Sequence, residues 1–280
     1  MSITYSTCFY VIKSKFEPHI YAQWMNNFFS IVNHFNLVLY TDENSYPYIP
    51  THFNNNNIKI IIKPFEQFYT YKYKHFWIKN HTRNMLLNNK TSWELNMLWS
   101  EKIWFVKDTI ERKIFETDLY GWCDIGYFRN RPNDLHTFSL VNWSNEKQLN
   151  KIYQNKIIYA CVNNDVNHLS KILNIKNNIG LPLKEIPPTQ QSISGGFFIL
   201  HKNQIHWWAY TYYSKLLLYF ENNYLVKDDQ IILADCIFST ENADKFTLFR
   251  ENTTKFDNWF MFQRILSNPL LKKVEQNQNN

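Results

Sequence analysis

Three short runs of β-branched and aromatic residues crowd into the first 62 positions, set around one segment of helical period. Residues 4–12, 35–40 (FNLVLY) and 58–62 are each too short for a buried helix and rich enough in Tyr, Phe, Val and Ile to be strands. Between the first two, apolar residues recur at Ile20, Trp24, Phe28, Ile31, Val32 and Phe35, which predicts a helix over 20–35. Strand, helix, strand, strand within about 60 residues is the opening of an α/β sheet. The alternation continues downstream. A helix is predicted over 93–109, from Leu95, Leu98, Trp99, Ile103 and Val106. A buried strand is predicted over 119–125 (LYGWCDI), stopping at Gly126. Further strands are predicted at 157–162 and 197–200, and helices at 204–222 and 230–238. Residues 163–180 read as helical or irregular, and 182–191 as a Pro-rich loop. The basic, aromatic stretch 65–83 reads equally as an acceptor-binding flap or a packed irregular segment. No internal repeat or linker interrupts the pattern. The expectation is one domain over 1–270 with an open, mixed, mostly parallel sheet flanked by helices. A polar tail over 271–280 is expected to be disordered.

Hydrophobic residues make up 45% of the 280 and charged residues 19%, which excludes wholesale disorder. Aromatic residues reach 18%, alongside many Asn, Ile and Lys, all encoded by AT-rich codons. Genome composition, of an AT-rich microbe or a large DNA virus, explains this more simply than dedicated aromatic platforms. The formal charge of +6 suits a phosphate-bearing ligand, but no run of five Lys/Arg occurs, so a nucleic-acid partner is not expected. Cys8, Cys123, Cys161 and Cys236 form no CxxC and no zinc spacing, which suggests buried thiols in a reducing compartment. No apolar run reaches 18 residues, and the first residues are too polar for a signal peptide, so neither a transmembrane segment nor a leader is expected. The expected location is cytoplasmic, in host cytoplasm or a virion if the chain is viral.

Four places carry chemistry. In Trp122-Cys123-Asp124-Ile125-Gly126 a strand runs into a carboxylate. Ligands of open α/β sheets bind beyond the carboxyl ends of strands, and an Asp there either holds a hard cation against a diphosphate or merely forms a turn. Ser194-Gly195-Gly196 places two of only five glycines in succession, the mark of positive φ or close approach. Lys227-Asp228-Asp229-Gln230 opens a predicted helix: one Asp suits capping, the other a general base or a hydrogen bond to an acceptor hydroxyl. Lys102, beside Trp99 and Ile103, can face a phosphate or solvent. His201 at a strand end is a structural histidine more often than a cation ligand. No GxSxG, Walker loop or GxGxxG occurs, which argues against common hydrolases, P-loop enzymes and dinucleotide oxidoreductases.

Taken in order, YTD at 40–42, WSEKIWF at 99–105, YGWCDIGYFR at 120–129, SISGGFFIL at 192–200 and KDDQIIL at 227–233 resemble the HtrL/YibB-like (WlaTC/HtrL) glycosyltransferase family. The likeness spans roughly residues 4–240 and extends more loosely to other GT-A-fold transferases. It implies a GT-A-like fold and transfer of a sugar from a nucleotide-diphosphate sugar donor to a hydroxyl on a glycan acceptor. It further implies Asp124 as ligand of Mn2+ or Mg2+, Lys102 facing the phosphates, and Thr7 and Asp42 bordering base and ribose. Gly195 and Gly196 would admit sugar and acceptor. Asp229 or Asp228, with Gln230, would sit by the reacting centre. Gly126 stands where the wider fold family often has a second Asp. Such a site either recruits another ligand or relies on Lys102 and Arg83 for positive charge.

Two other classes are weighed against this. A metal-dependent nucleotidyl or phosphoryl transferase needs two or three clustered carboxylates, and only one lies near 119–125. A catalytically inactive GT-A-like glycan-binding or scaffold protein would stack sugars on Trp122, Trp207 and Trp208. Donor base, donor sugar, acceptor, stereochemistry and oligomeric state are not readable from these residues.

Overall fold

The computed structural model describes residues 2–267 apart from 51, 54, 164, 178–185 and 254. Its elements run β1 (Ile3–Cys8), α1 (Pro18–Phe29), β2 (Asn36–Thr41), β3 (Ile58–Ile62), α2 (Lys74–Arg83), α3 (Trp93–Ser100) and α4 (Lys102–Glu111). They continue with β4 (Leu119–Cys123), α5 (Glu146–Ile152), β5 (Ile157–Cys161), α6 (Val166–Asn177), β6 (Ile193–His201), α7 (Ile205–Glu221), α8 (Asp229–Ile237), β7 (Phe246–Phe249) and α9 (Met261–Ile265).

One open sheet carries seven strands in the order β3-β2-β1-β4-β6-β5-β7. β1, β2, β3 and β4 are mutually parallel, and β5 is parallel to β7. β6 alone runs antiparallel to its neighbours β4 and β5. The α/β class and the mostly parallel mixed sheet agree with the sequence expectation. Both faces are covered, as near-continuous apolar strands require. Period two sends Val38, Tyr40, Trp122 and Phe198 to one face, against Phe105 of α4, Trp208 of α7 and Ile232 of α8. It sends Tyr5, Leu39, Cys123 and Phe197 to the other, against Phe28 of α1, Trp143 and Phe262.

Several local expectations change. The helix predicted over 93–109 breaks at Glu101 into α3 and α4. The Glu101 carboxylate is fully buried and accepts from the Tyr69 and Thr70 amides and the Thr70 hydroxyl. The helix predicted over 20–35 starts with Pro18 at its first turn, where the missing N–H costs nothing, and stops at Phe29. Ile31, Val32 and Phe35 are buried from turns instead. Gly195 and Gly196 lie inside β6 rather than in a loop before it. The stretch 65–83 is packed: Phe68 and Trp77 are buried in the core, which rules out a free flap. β7 and α5 were not expected. The polar tail at 271–280 lies outside the described residues, as do 178–180 of the stretch read as helical or irregular and 182–185 of the predicted loop. Among the described residues no helix is long and apolar enough to cross a membrane. Cys8, Cys123, Cys161 and Cys236 are free and buried.

Candidate functional site

A cavity of about 400 Å³ opens beyond the carboxyl ends of β1 and β4. Topology places it there. β1 continues extended through Phe9 and Tyr10 into the cavity wall, and Asp124 follows β4 immediately. Because β6 is antiparallel to β4, its first residues lie at the same sheet edge. Cys123 pairs with Phe197, and the Asp124 N–H donates to the Gly196 carbonyl at 2.9 Å. The break at Glu101 starts α4 at Lys102, whose side chain reaches the same point.

Lys102 is the hub. Its Nζ donates to the Gly195 carbonyl at 2.9 Å and lies 3.1 Å from Asp124 Oδ1 and 3.1 Å from Asp229 Oδ2. The Trp122 indole N–H donates to the same Asp124 oxygen at 2.6 Å. Burial alone pushes the Lys102 pKa down, but Asp124 and Asp229 together hold it above the ordinary lysine range. Burial pushes Asp229 up to about 6, although Lys102 pulls the other way. Burial also raises Asp228, against the pull of Lys227 at 3.2 Å. Of the cluster, Asp124 is the open member: its side chain is 39% exposed, against 6% for Asp229.

The glycine pair makes this packing possible. A Cβ on Gly195 would collide with the Asp229 carboxylate, and one on Gly196 would lie 3.2 Å from Asp124 Oδ2. Gly195 therefore makes room for the Asp229 carboxylate. A Cβ on Gly126 would meet the Trp24 ring at 2.8 Å, so that glycine serves the packing of α1.

Lys102, Asp124, Gly126, Gly195, Gly196, Asp228, Asp229 and Gln230 all line the cavity. Thr7, Asp42 and Arg83 do not. Thr7 is buried in β1 on the face of Tyr5. Asp42 turns back to accept from the Ser45 N–H at 2.7 Å. Arg83 is exposed at the end of α2. His201 closes β6 opposite Leu119, at the far edge of the sheet, and accepts from the Asn203 N–H. Asp228 stands at the N-cap position of α8, yet its side chain makes no capping bond and pairs with Lys227 instead.

Other lining groups were not expected from the sequence: Lys15, Tyr21, Arg129 and Arg131. Arg129 sits inside the quoted YGWCDIGYFR motif, so its nearness to Asp124 was available as a signal; Lys15 had none. Arg129 Nε donates to the Gly126 carbonyl at 2.7 Å, and its guanidinium lies 4.4 Å from the Trp24 ring centre. A second layer was equally hidden. The side chains of Asn80, Asn84 and Asn96, on α2, the turn after it, and α3, bind the backbone of Val226 and Lys227 at 2.8–3.2 Å. They hold the segment that delivers Asp228 and Asp229. Asn96 within the otherwise apolar WELNMLW was the only hint.

The Mn2+ or Mg2+ expectation meets a donor set that is already engaged. Asp124 Oδ1 is taken by Trp122 and Lys102, Asp229 Oδ2 faces the same ammonium, and no group of three His, Cys, Asp or Glu that could hold a metal occurs among the described residues. An ammonium stands where a shared cation would bridge the two carboxylates.

No protein-family model matches this chain, and no curated protein matches it.

Proposed function

We propose that this protein is a glycosyltransferase of GT-A-like fold, using a nucleotide-diphosphate sugar as donor and a glycan hydroxyl as acceptor. One observation carries the reading. Four separated segments, around residues 102, 124, 195 and 229, converge on one cavity beyond the carboxyl edge of a mostly parallel sheet. These are four of the five segments on which the family resemblance rests; the fifth, YTD at 40–42, does not line the cavity.

The chemistry follows from the charges. A departing nucleoside diphosphate needs fixed positive charge, and preorganised charge in a cleft shielded from water is worth far more than in bulk solvent. Lys15 and Arg129 supply it at the walls. Asp124, the exposed carboxylate, faces the bound donor and holds Lys102. Asp229, with a pKa near 6, and Asp228 are the groups for taking the acceptor hydroxyl proton, since a base is most effective near the working pH. The scaffold reading loses two of its three sugar platforms, because Trp122 and Trp208 are buried and only Trp207 keeps some exposure.

The test is a screen of sugar nucleotides for release of nucleoside diphosphate, with and without candidate glycans. One donor should turn over, and Asp124→Asn should lower kcat/KM by about 10²-fold or more while leaving the circular dichroism spectrum unchanged. No turnover with any donor, together with no nucleotide-induced rise in Tm, would sink the reading.

A further inference from the structure

We infer that the cavity binds a diphosphate group without a metal ion, the Lys102 ammonium standing in the cation position and Lys15 and Arg129 receiving the phosphate oxygens. The inference rests on the proposed function for the identity of the ligand as a nucleoside diphosphate. Its grounds are separate from the resemblance, which implied a metal at Asp124.

The first ground is the occupied cage. Oxygens from Asp124, Asp229 and Gly195, delivered by three different segments, surround one nitrogen at 2.9–3.1 Å. One N–H donates to the Gly195 carbonyl, and the two carboxylates at ion-pair distance balance the charge. Lys102 is only 8% exposed, and glycine at 195 is what lets Asp229 reach it. A divalent ion bridging the two carboxylates would have to expel a buried, charged lysine and leave it without its carboxylate partners.

The second ground is two cations with no ion-pair partner in direct contact. Among the described residues neither Lys15 nor Arg129 has a carboxylate within ion-pair distance, and both line the cavity. Burial pushes the pKa of each below its ordinary value, with Asp228 and Asp229 opposing this for Lys15; for Arg129, Arg131 adds to it while Asp124 and Asp134 oppose it. Lys15 lies 5.0 Å from the Trp99 ring centre, and Arg129 is held against Trp24 and Phe260. The other charges in the walls are engaged. Arg131 binds Asp134 and Asp257, and Lys227 binds Asp228. Lys15 is exposed at the mouth and Arg129 half-buried in the wall, and two cations without a direct ion-pair partner in one cleft match a ligand carrying two adjacent negative groups; Arg is well suited to grip phosphate with a planar fork.

The experiment is calorimetric titration of the purified chain with UDP, GDP, CDP, dTDP and inorganic pyrophosphate, each in EDTA and again in excess Mn2+. One nucleotide is expected to bind in EDTA with a Kd that added Mn2+ shifts by less than about threefold, well under 1.4 kcal/mol. Lys15→Gln strands no carboxylate partner and should keep the wild-type Tm; Arg129→Gln also loses the bond to the Gly126 carbonyl, so Arg129→Lys is run beside it and a folded circular dichroism spectrum is required of both. Lys15→Gln and Arg129→Gln should each weaken binding by about tenfold or more, the scale of one lost charge-assisted hydrogen bond. Nucleotide binding that requires Mn2+ would overturn the inference and leave the proposed function standing. Pyrophosphate binding in EDTA, lost in Arg129→Gln, with no nucleotide bound in either buffer, would support the anion site and sink the transferase reading. Neither nucleotide nor pyrophosphate bound in EDTA would overturn the inference.

Discussion

Gly195 decides where Asp229 sits. A methyl group there would occupy the space of the carboxylate that pairs with Lys102. Gly195→Ala should therefore cost about 1–3 kcal/mol, the usual penalty for overpacking. Gly196→Ala should cost less, since its nearest obstacle is an oxygen of the half-exposed Asp124. Urea midpoints check the order, and equal midpoints for the two variants would contradict it. Glu101 and Asp229 make a second point at this scale. Burial raises Glu101 from 4.5 to about 7 and Asp229 from 3.8 to about 6. Between about pH 4 and pH 7 the folded chain thus holds protons that the unfolded chain has released. The contribution of these groups to stability is full at the acid end and lost as pH rises through the window. Urea titrations across that range should show wild type losing stability relative to Asp229→Asn in the lower part and relative to Glu101→Gln in the upper part. Parallel curves would refute both assignments.

At the scale of elements, the segment that delivers Asp228 and Asp229 is held by its neighbours rather than by its own helix. α8 begins at Asp229 with no side-chain cap, and the residues before it are gripped by Asn80, Asn84 and Asn96. Asn96→Ala removes contacts to two buried carbonyls and should destabilise by about 1–3 kcal/mol. Hydrogen exchange locates the effect. Amides over 226–230 should exchange faster, while those of β1 and β4 keep their protection. Uniform loss of protection would show instead that Asn96 serves the whole core. The break between α3 and α4 belongs to the same scale. Periodicity alone carries a helix straight through 93–109, because Leu95, Leu98, Ile103 and Val106 share one stripe. What ends α3 is a contact from outside: the Glu101 carboxylate buried on the Tyr69 and Thr70 amides.

For the whole molecule, the sheet divides labour between its faces and its edge. The faces are apolar and closed by helices; the carboxyl edge of β1 and β4 is where charge collects. Two tryptophans separate these roles. Trp208 is fully buried and donates to the Tyr159 hydroxyl at 3.1 Å, so Trp208→Ala should cost about 3–5 kcal/mol. Trp99 lines the cavity, and Trp99→Ala should leave the urea midpoint much closer to wild type while weakening ligand binding. Comparable midpoints for the two would show that cavity wall and core are not separable. The same division explains how far the residues alone could be read. Strands, most helices and the α/β class followed from period and β-branching, which act over a few neighbours and need no partner. Of the candidate site, Lys102, Asp124, the glycine pair and Asp228–Gln230 stood out because their types are unusual where they occur. Thr7 and Asp42 do not line the cavity because proximity to a strand end says nothing about which way a side chain points, and Arg83 does not because it ends α2 exposed to solvent. Strand order and register decided the rest. Lys102 meets the Gly195 carbonyl across 93 residues of chain because β6 runs back beside β4. Hydrophobic patterning sets which face of a strand is buried, while the charges that meet at its end are set by the strand beside it.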